Sequence, residues 1–170
     1  PMCAAMSSEA HWNGRAPILA DYGVASGGPT ESSIWLWTRV PEFAQAQNSD
    51  VDVTFELSLD SKFSKVVRAG VAQTGPARDY TVNVEVTDLE PFTTYYYRFY
   101  TDTGYVSVVG RTKTAPRHDA DLKKIRFAYV SCQSYAAGYF TPYAHLALED
   151  LDFCIHLGDH IYESNKVGPN

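Results

Sequence analysis

Alternating apolar and polar positions organise the first two thirds of the chain. In residues 51–60, Val51, Val53, Phe55, Leu57 and Leu59 alternate with Asp52, Thr54, Glu56, Ser58 and Asp60. That period of two predicts an antiparallel strand with the first set inward and the second in solvent. Residues 80–87 repeat the pattern with Tyr80, Val82, Val84 and Val86 on one face, and residues 66–73 repeat it more weakly. Upstream, residues 19–26 and 33–40 read as strands separated by the turn cluster Gly27, Gly28, Pro29. In the second of these, Trp35 and Trp37 share one face and Ile34 and Leu36 the other, which predicts burial on both sides. Residues 43–50 read as a loop, Gly75-Pro76 as a turn, and residues 105–113 as a last strand.

Between these lies LEPFTTYYYRFY, where Leu89, Pro91, Thr93, Tyr95, Tyr97 and Phe99 fall at every second position. This stretch resembles the corner and sixth strand of fibronectin type III domains, and the resemblance makes Tyr95 the corner tyrosine, its hydroxyl bonded to the backbone of the preceding turn. Seven strands, with turns spaced about 8–12 residues apart, predict a fibronectin-like sandwich over residues 18–114. Residues 1–17 read as a terminal segment and residues 115–122 as a polar, proline-containing linker. No cluster of His, Asp, Cys or Glu at useful spacing falls in the sandwich, so chemistry is expected after residue 123.

The pattern changes in residues 123–170. Residues 125–130 and 153–157 are short apolar runs of the kind that parallel strands buried on both faces produce. Thr141-Pro142 between them reads as a helix start, with the threonine hydroxyl as cap and proline in the first turn. The unit is βαβ, and a right-handed crossover brings the C-terminal ends of both strands to one edge, where open α/β sheets bind ligands. Ser131, Cys132 and Gln133 leave the first strand there, and Gly158, Asp159, His160, Ile161 and Tyr162 the second. Two strands and one helix cannot bury themselves, so this part reads as the truncated start of an α/β domain.

Composition narrows the function classes. With 45% hydrophobic and 20% charged residues the chain fits the soluble globular class. No apolar run approaches the roughly 20 residues that span a bilayer. The formal net charge of −6 offers no basic field for nonspecific nucleic-acid binding, and a polyanionic substrate would need local positive charge from a metal. Cys3, Cys132 and Cys154 form an odd, widely spaced set without CxxC, which argues against a disulfide scaffold. Cys154, mid-strand among apolar residues, reads as a small buried hydrophobe. No charged-then-apolar signal peptide is visible at the start.

GDHIYE after an apolar strand, with SCQ ending the strand before it, resembles the start of the metallophosphoesterase domain of PhoD-type alkaline phosphatases and phosphodiesterases. VASGGPTESSIWLWTRV and LEPFTTYYYRFYTD resemble the accessory domain of the same family. The resemblance implies a secreted or periplasmic enzyme that hydrolyses phosphate esters by metal-activated hydroxide. It implies Fe3+ held by Cys132 and Tyr162 and bridged through Asp159, the catalytic carboxylate, to Ca2+. The chemistry is coherent, because a trivalent ion favours thiolate and phenolate ligands, and a glycine before the aspartate lets metal and backbone approach closely. The remaining metal ligands are expected from later strands of the same catalytic domain, so the 170-residue chain alone is expected to be inactive. Gln133, Tyr135 and Tyr139 in the loop over the site, with His160 beside Asp159, are candidates for bordering substrate or supporting the ligands. His156 reads as a satisfied core histidine and His145 as a helix residue away from the strand ends. A different class of function remains open at this point, a fibronectin-like docking module with no catalytic activity.

Overall fold

The structure is a computed structural model and describes residues 22–41, 49–136 and 139–163. Terminal residues 1–17, the start of the first expected strand and most of the 43–50 loop lie outside the described residues. The chain divides between Asp121 and Leu122 into two compact units.

The first unit is a sandwich of two antiparallel sheets. One contains β1 (Val24–Gly27), β2 (Ile34–Arg39) and β5 (Thr81–Val86), in the order β1-β2-β5. The other contains β3 (Val51–Ser58), β4 (Val66–Thr74), β6 (Thr94–Thr101) and β7 (Gly110–Lys113), in the order β4-β3-β6-β7. The inward positions of both sheets meet in one core that includes Ile34, Leu36, Val53, Leu57, Val82 and Phe99. Each comes from an alternating run, and the period of two aims alternate side chains at the opposite sheet. The 3-10 turn at Pro76–Arg78 connects β4 to β5.

Tyr95 lies at the corner entering β6, and its hydroxyl accepts the backbone N–H of Glu90 at 2.8 Å. Tyr97 and Phe99 follow inward on the same face and meet edge to face, with ring centroids 6.2 Å apart. Burial pushes the Tyr97 phenol above its ordinary range.

Three expectations for the sandwich need correction. Only one face of β2 is fully buried: Ile34, Leu36 and Thr38 are inside, whereas Trp35 is 41% exposed. The register between β3 and β4 shifts at Leu57/Ser58, and this bulge exchanges inside for outside, leaving Ser58 buried and Leu59 exposed. The last strand is shorter than residues 105–113, because only Gly110–Lys113 pairs continuously and Val106 makes an isolated bridge to Tyr100.

The second unit contains β8 (Phe127–Val130), α1 (Thr141–Leu146) and β9 (Phe153–His156), and β8 pairs with β9 in parallel. The pairs Phe127↔Phe153 and Val130↔His156 set the register. Phe127 and Phe153 stack, with centroids 5.3 Å apart and planes within 8°. Arg126 anchors the start: its N–H bonds the Asp152 carboxylate at 2.8 Å, and its guanidinium lies 3.5 Å from Glu149.

Here too the sequence expectations change. Neither strand is buried on both faces, since Phe127, Tyr129, Phe153 and Ile155 are exposed. An apolar run fits a doubly covered strand, but within this chain no further strand or helix covers that face among the described residues. Thr141 is the first helical residue, and Phe140 is the cap, in a left-handed conformation with no side-chain capping bond. Cys154 is disulfide-bonded, not a free buried thiol.

Candidate functional site

The two strand ends are joined beyond the regular ladder. The N–H of Leu157 bonds the Val130 carbonyl at 2.8 Å, Cys132 N–H reaches the Gly158 carbonyl at 3.4 Å, and Gln133 N–H reaches the Asp159 carbonyl at 3.3 Å. Tyr162 N–H then donates to the Gln133 carbonyl at 2.7 Å, and Tyr135 N–H to the Tyr162 carbonyl at 2.9 Å. A parallel bridge between Ser134 and Tyr162 completes the run. Two loops that would separate after β8 and β9 are thereby kept side by side for several more residues.

The backbone within this zipper is bent. Cys132, Gly158 and Asp159 have φ values of 59°, 114° and 48°. Left-handed conformations at a cysteine and an aspartate cost conformational energy and persist where surrounding bonds fix them. Gly158 is needed for its φ and not for space, because a Cβ there would meet nothing within 4 Å.

The bends turn three acidic side chains toward one another. Cys132 Sγ lies 3.7 Å from Asp159 Oδ2. Tyr162 is hydrogen-bonded to Asp159 and also interacts with Cys132, and its phenol is pushed up to about 12, first by the bond to Asp159 and then by desolvation and the nearby negative groups. All three residues are exposed. In the absence of a cation this arrangement holds the phenol protonated, since ionising it would place a second anion against the carboxylate. A cation among the same atoms would reverse the preference and favour thiolate, carboxylate and phenolate together. The donor set therefore fits a hard or borderline cation. Among the described residues no group of three His, Cys, Asp or Glu side chains could hold a metal, so this cluster depends on the phenol as its third donor.

Gln133 is half-buried and engaged through both backbone groups; Tyr135 is exposed, its ring tilted on Phe140 with centroids 6.2 Å apart. Tyr139 is 97% exposed and not drawn into the cluster. His160 packs its ring against His156, centroids 4.7 Å apart. His145 lies on α1.

Sequence reading missed the role of His156. It is not a satisfied core histidine: its Nδ1 accepts the N–H of Gly158 at 3.2 Å, while its Nε2 is buried without a hydrogen-bond partner among the described residues. The signal was present as a histidine two residues before a strand-end glycine.

Comparison with known proteins identifies the family. The family of PhoD-like phosphatase N-terminal domains matches residues 5–116, and the PhoD-like phosphatase family matches residues 127–169. The chain belongs to the PhoD-like phosphatases. It is 43% identical over 164 residues to alkaline phosphatase D of Bacillus subtilis (strain 168), a match covering 91% of this chain and 27% of that protein. It also matches a solved structure of PhoD with a TM-score of 0.78 at 43% identity, over 87% of this chain and 30% of that one. The chain thus spans under a third of the length of these PhoD-like relatives. No helix among the described residues is long and apolar enough to cross a membrane.

Proposed function

We propose that the intact protein is a metal-dependent phosphoric ester hydrolase and that Cys132, Asp159 and Tyr162 hold part of its metal centre. The observation that carries this reading is the Cys132 Sγ to Asp159 Oδ2 distance of 3.7 Å, with Tyr162 hydrogen-bonded to the same carboxylate. Ferric iron would suit the thiolate and phenolate, and calcium would suit a carboxylate. When bound, such ions supply positive charge against the phosphoryl oxygens and a nucleophile at neutral pH.

The residues of this chain hold and orient. Asp159, whose Oδ2 lies 3.7 Å from Cys132 Sγ, would hold a cation together with Cys132 and Tyr162. Gly158, at φ 114°, sets the turn that aims it. Tyr135, exposed above the strand ends, offers a ring edge to the organic part of an ester.

Three donors are fewer than a two-metal centre requires, so the 170-residue chain by itself should bind metal weakly and hydrolyse no ester. The test uses the intact purified protein: metal analysis, with hydrolysis of p-nitrophenyl phosphate and bis-p-nitrophenyl phosphate. Cys132→Ala should lower bound iron, and Asp159→Asn should lower iron, calcium and turnover together by orders of magnitude. Full turnover in Asp159→Asn, or a fully active protein without metal, would overturn the reading.

A further inference from the structure

We propose that His156 is a positioning residue for Asp159: its imidazole Nδ1 accepts the Gly158 N–H and thereby fixes the turn that aims the carboxylate. This inference rests on the functional reading above and extends it to a strand residue outside the three proposed ligands.

The turn needs such a restraint. Gly158 and Asp159 are consecutive residues with positive φ, 114° and 48°, and both can relax if nothing holds them. On the carbonyl side the restraints are long, 3.4 Å from Cys132 N–H to the Gly158 oxygen and 3.3 Å from Gln133 N–H to the Asp159 oxygen. Bonds at those distances lie beyond the usual range for N–H···O pairs. On the amide side, the Leu157 N–H is spent on the Val130 carbonyl at 2.8 Å, and the next N–H, that of Gly158, goes to His156 Nδ1 at 3.2 Å. His156 is itself fixed in the sheet by its register with Val130, and its ring is backed by His160. A rigid strand residue therefore holds the amide that begins the bend.

The other ring nitrogen supports the assignment independently. With Nδ1 accepting, the proton of the neutral ring sits on Nε2, which is buried and unpartnered among the described residues. A leucine would occupy this strand position without leaving a polar nitrogen unpaired, so packing alone does not account for an imidazole here. What the imidazole adds is the acceptor at Nδ1.

The prediction is a contrast between two variants of the intact protein. His156→Asn places an amide oxygen near the position of Nδ1 and can still accept the Gly158 N–H; His156→Leu cannot. Retention of iron and calcium against a competing chelator is measured first, then kcat and KM separately on p-nitrophenyl phosphate, with thermal denaturation alongside. The Leu variant should lose about 10- to 100-fold in metal affinity, the range for residues that support metal ligands, and lose kcat with little change in KM. The Asn variant should recover most of both, whatever its melting temperature. If the Leu variant does not fold, His156→Gln replaces it, because its longer amide reaches toward Nε2 and vacates the Nδ1 position. Equal metal retention in the Asn and Leu (or Gln) variants overturns the proposal. Asp159→Asn is run in parallel: if it too retains metal and turnover, the functional reading falls with the proposal, whereas its loss beside indifferent His156 variants removes the positioning role alone.

Discussion

The hydroxyl of Tyr95 accepts the backbone N–H of Glu90 at 2.8 Å, tying the first residues of β6 to the corner that precedes them. Tyr95 is 2% exposed, so its ring packs in the core while its one polar atom satisfies a backbone donor. Thr114 Oγ1 donates to the Glu90 carbonyl in the same corner and accepts the N–H of Thr93 at 3.0 Å. Tyr95→Phe keeps the packing and leaves the Glu90 N–H without its acceptor, which should cost about 1–3 kcal/mol. Urea unfolding of the sandwich, followed by tryptophan fluorescence, measures it. An unchanged midpoint would show that water replaces the hydroxyl at no cost.

Glycines opposite aromatic rings carry a second dependence. Gly110 of β7 is the register partner of Tyr97, and a Cβ added at Gly110 would overlap the Tyr97 ring, which is 1% exposed and has no room to move. Gly70 stands in the same relation to Phe55 across β4 and β3, but Phe55 is only partly buried. Gly110→Ala should therefore destabilise the sandwich by about 1–3 kcal/mol, the usual cost of overpacking, and Gly70→Ala by less. Equal effects at the two positions would mean that the buried ring yields as easily as the partly buried one.

The difference between these glycines also shows how far the sequence could be read. The alternation from Val51 to Leu57 is local and strict, so it located β3 and its inward face. It failed at Leu59, because a bulge is set by pairing with β4 and leaves no mark in the alternation itself. Tyr95 could be read because the corner is a local motif with its own spacing. Exposure was harder: Trp35 and the faces of β8 and β9 look buried by composition, yet burial depends on what packs above them. Cys132, Asp159 and Tyr162 could be named together from the motifs at two strand ends. Their approach depends on positive φ values at Cys132 and Asp159, which side chains do not announce, and the bond from Gly158 to His156 belongs to the same turn.

Arg39 and Asp79 give a prediction on the acid side. Arg39 Nη2 lies 2.9 Å from Asp79 Oδ1, and its Nε bonds both the Asp79 carboxylate and carbonyl. The guanidinium bond holds the Asp79 carboxyl below its ordinary value of 3.8. A depressed carboxylate stabilises the fold above its unfolded pKa and loses that contribution as pH falls through the folded one. Denaturation midpoints of the wild type and Asp79→Asn should therefore differ at neutral pH and converge once the pH has fallen through the lowered Asp79 value. The effect should be small, since Asp79 is largely exposed and salt will screen it. Parallel curves across this range would show that the pair contributes nothing.

Tyr162 offers the most direct reading of the candidate site, because its titration responds in opposite directions to the carboxylate and to a cation. In the metal-free protein its phenol should titrate near 12, raised by the hydrogen bond to Asp159 and by the negative groups around it. An unfolded tyrosine titrates near 10. Any stability linked to this shift is complete below pH about 10 and is lost as pH rises toward the folded value, so metal-free protein should become easier to unfold across that window. The tyrosinate absorbance of the wild type minus that of Tyr162→Phe isolates the group. Asp159→Asn removes the charge and weakens the acceptor, and should bring the midpoint down toward 10. Added ferric ion should take the phenol down much further, into the neutral range, with a visible charge-transfer band that Tyr162→Phe and Cys132→Ala each diminish. A midpoint that ignores Asp159→Asn would mean the hydrogen bond is not formed in solution. A phenol that stays protonated with iron bound would exclude Tyr162 as a ligand while leaving Cys132 and Asp159 to be judged on their own variants.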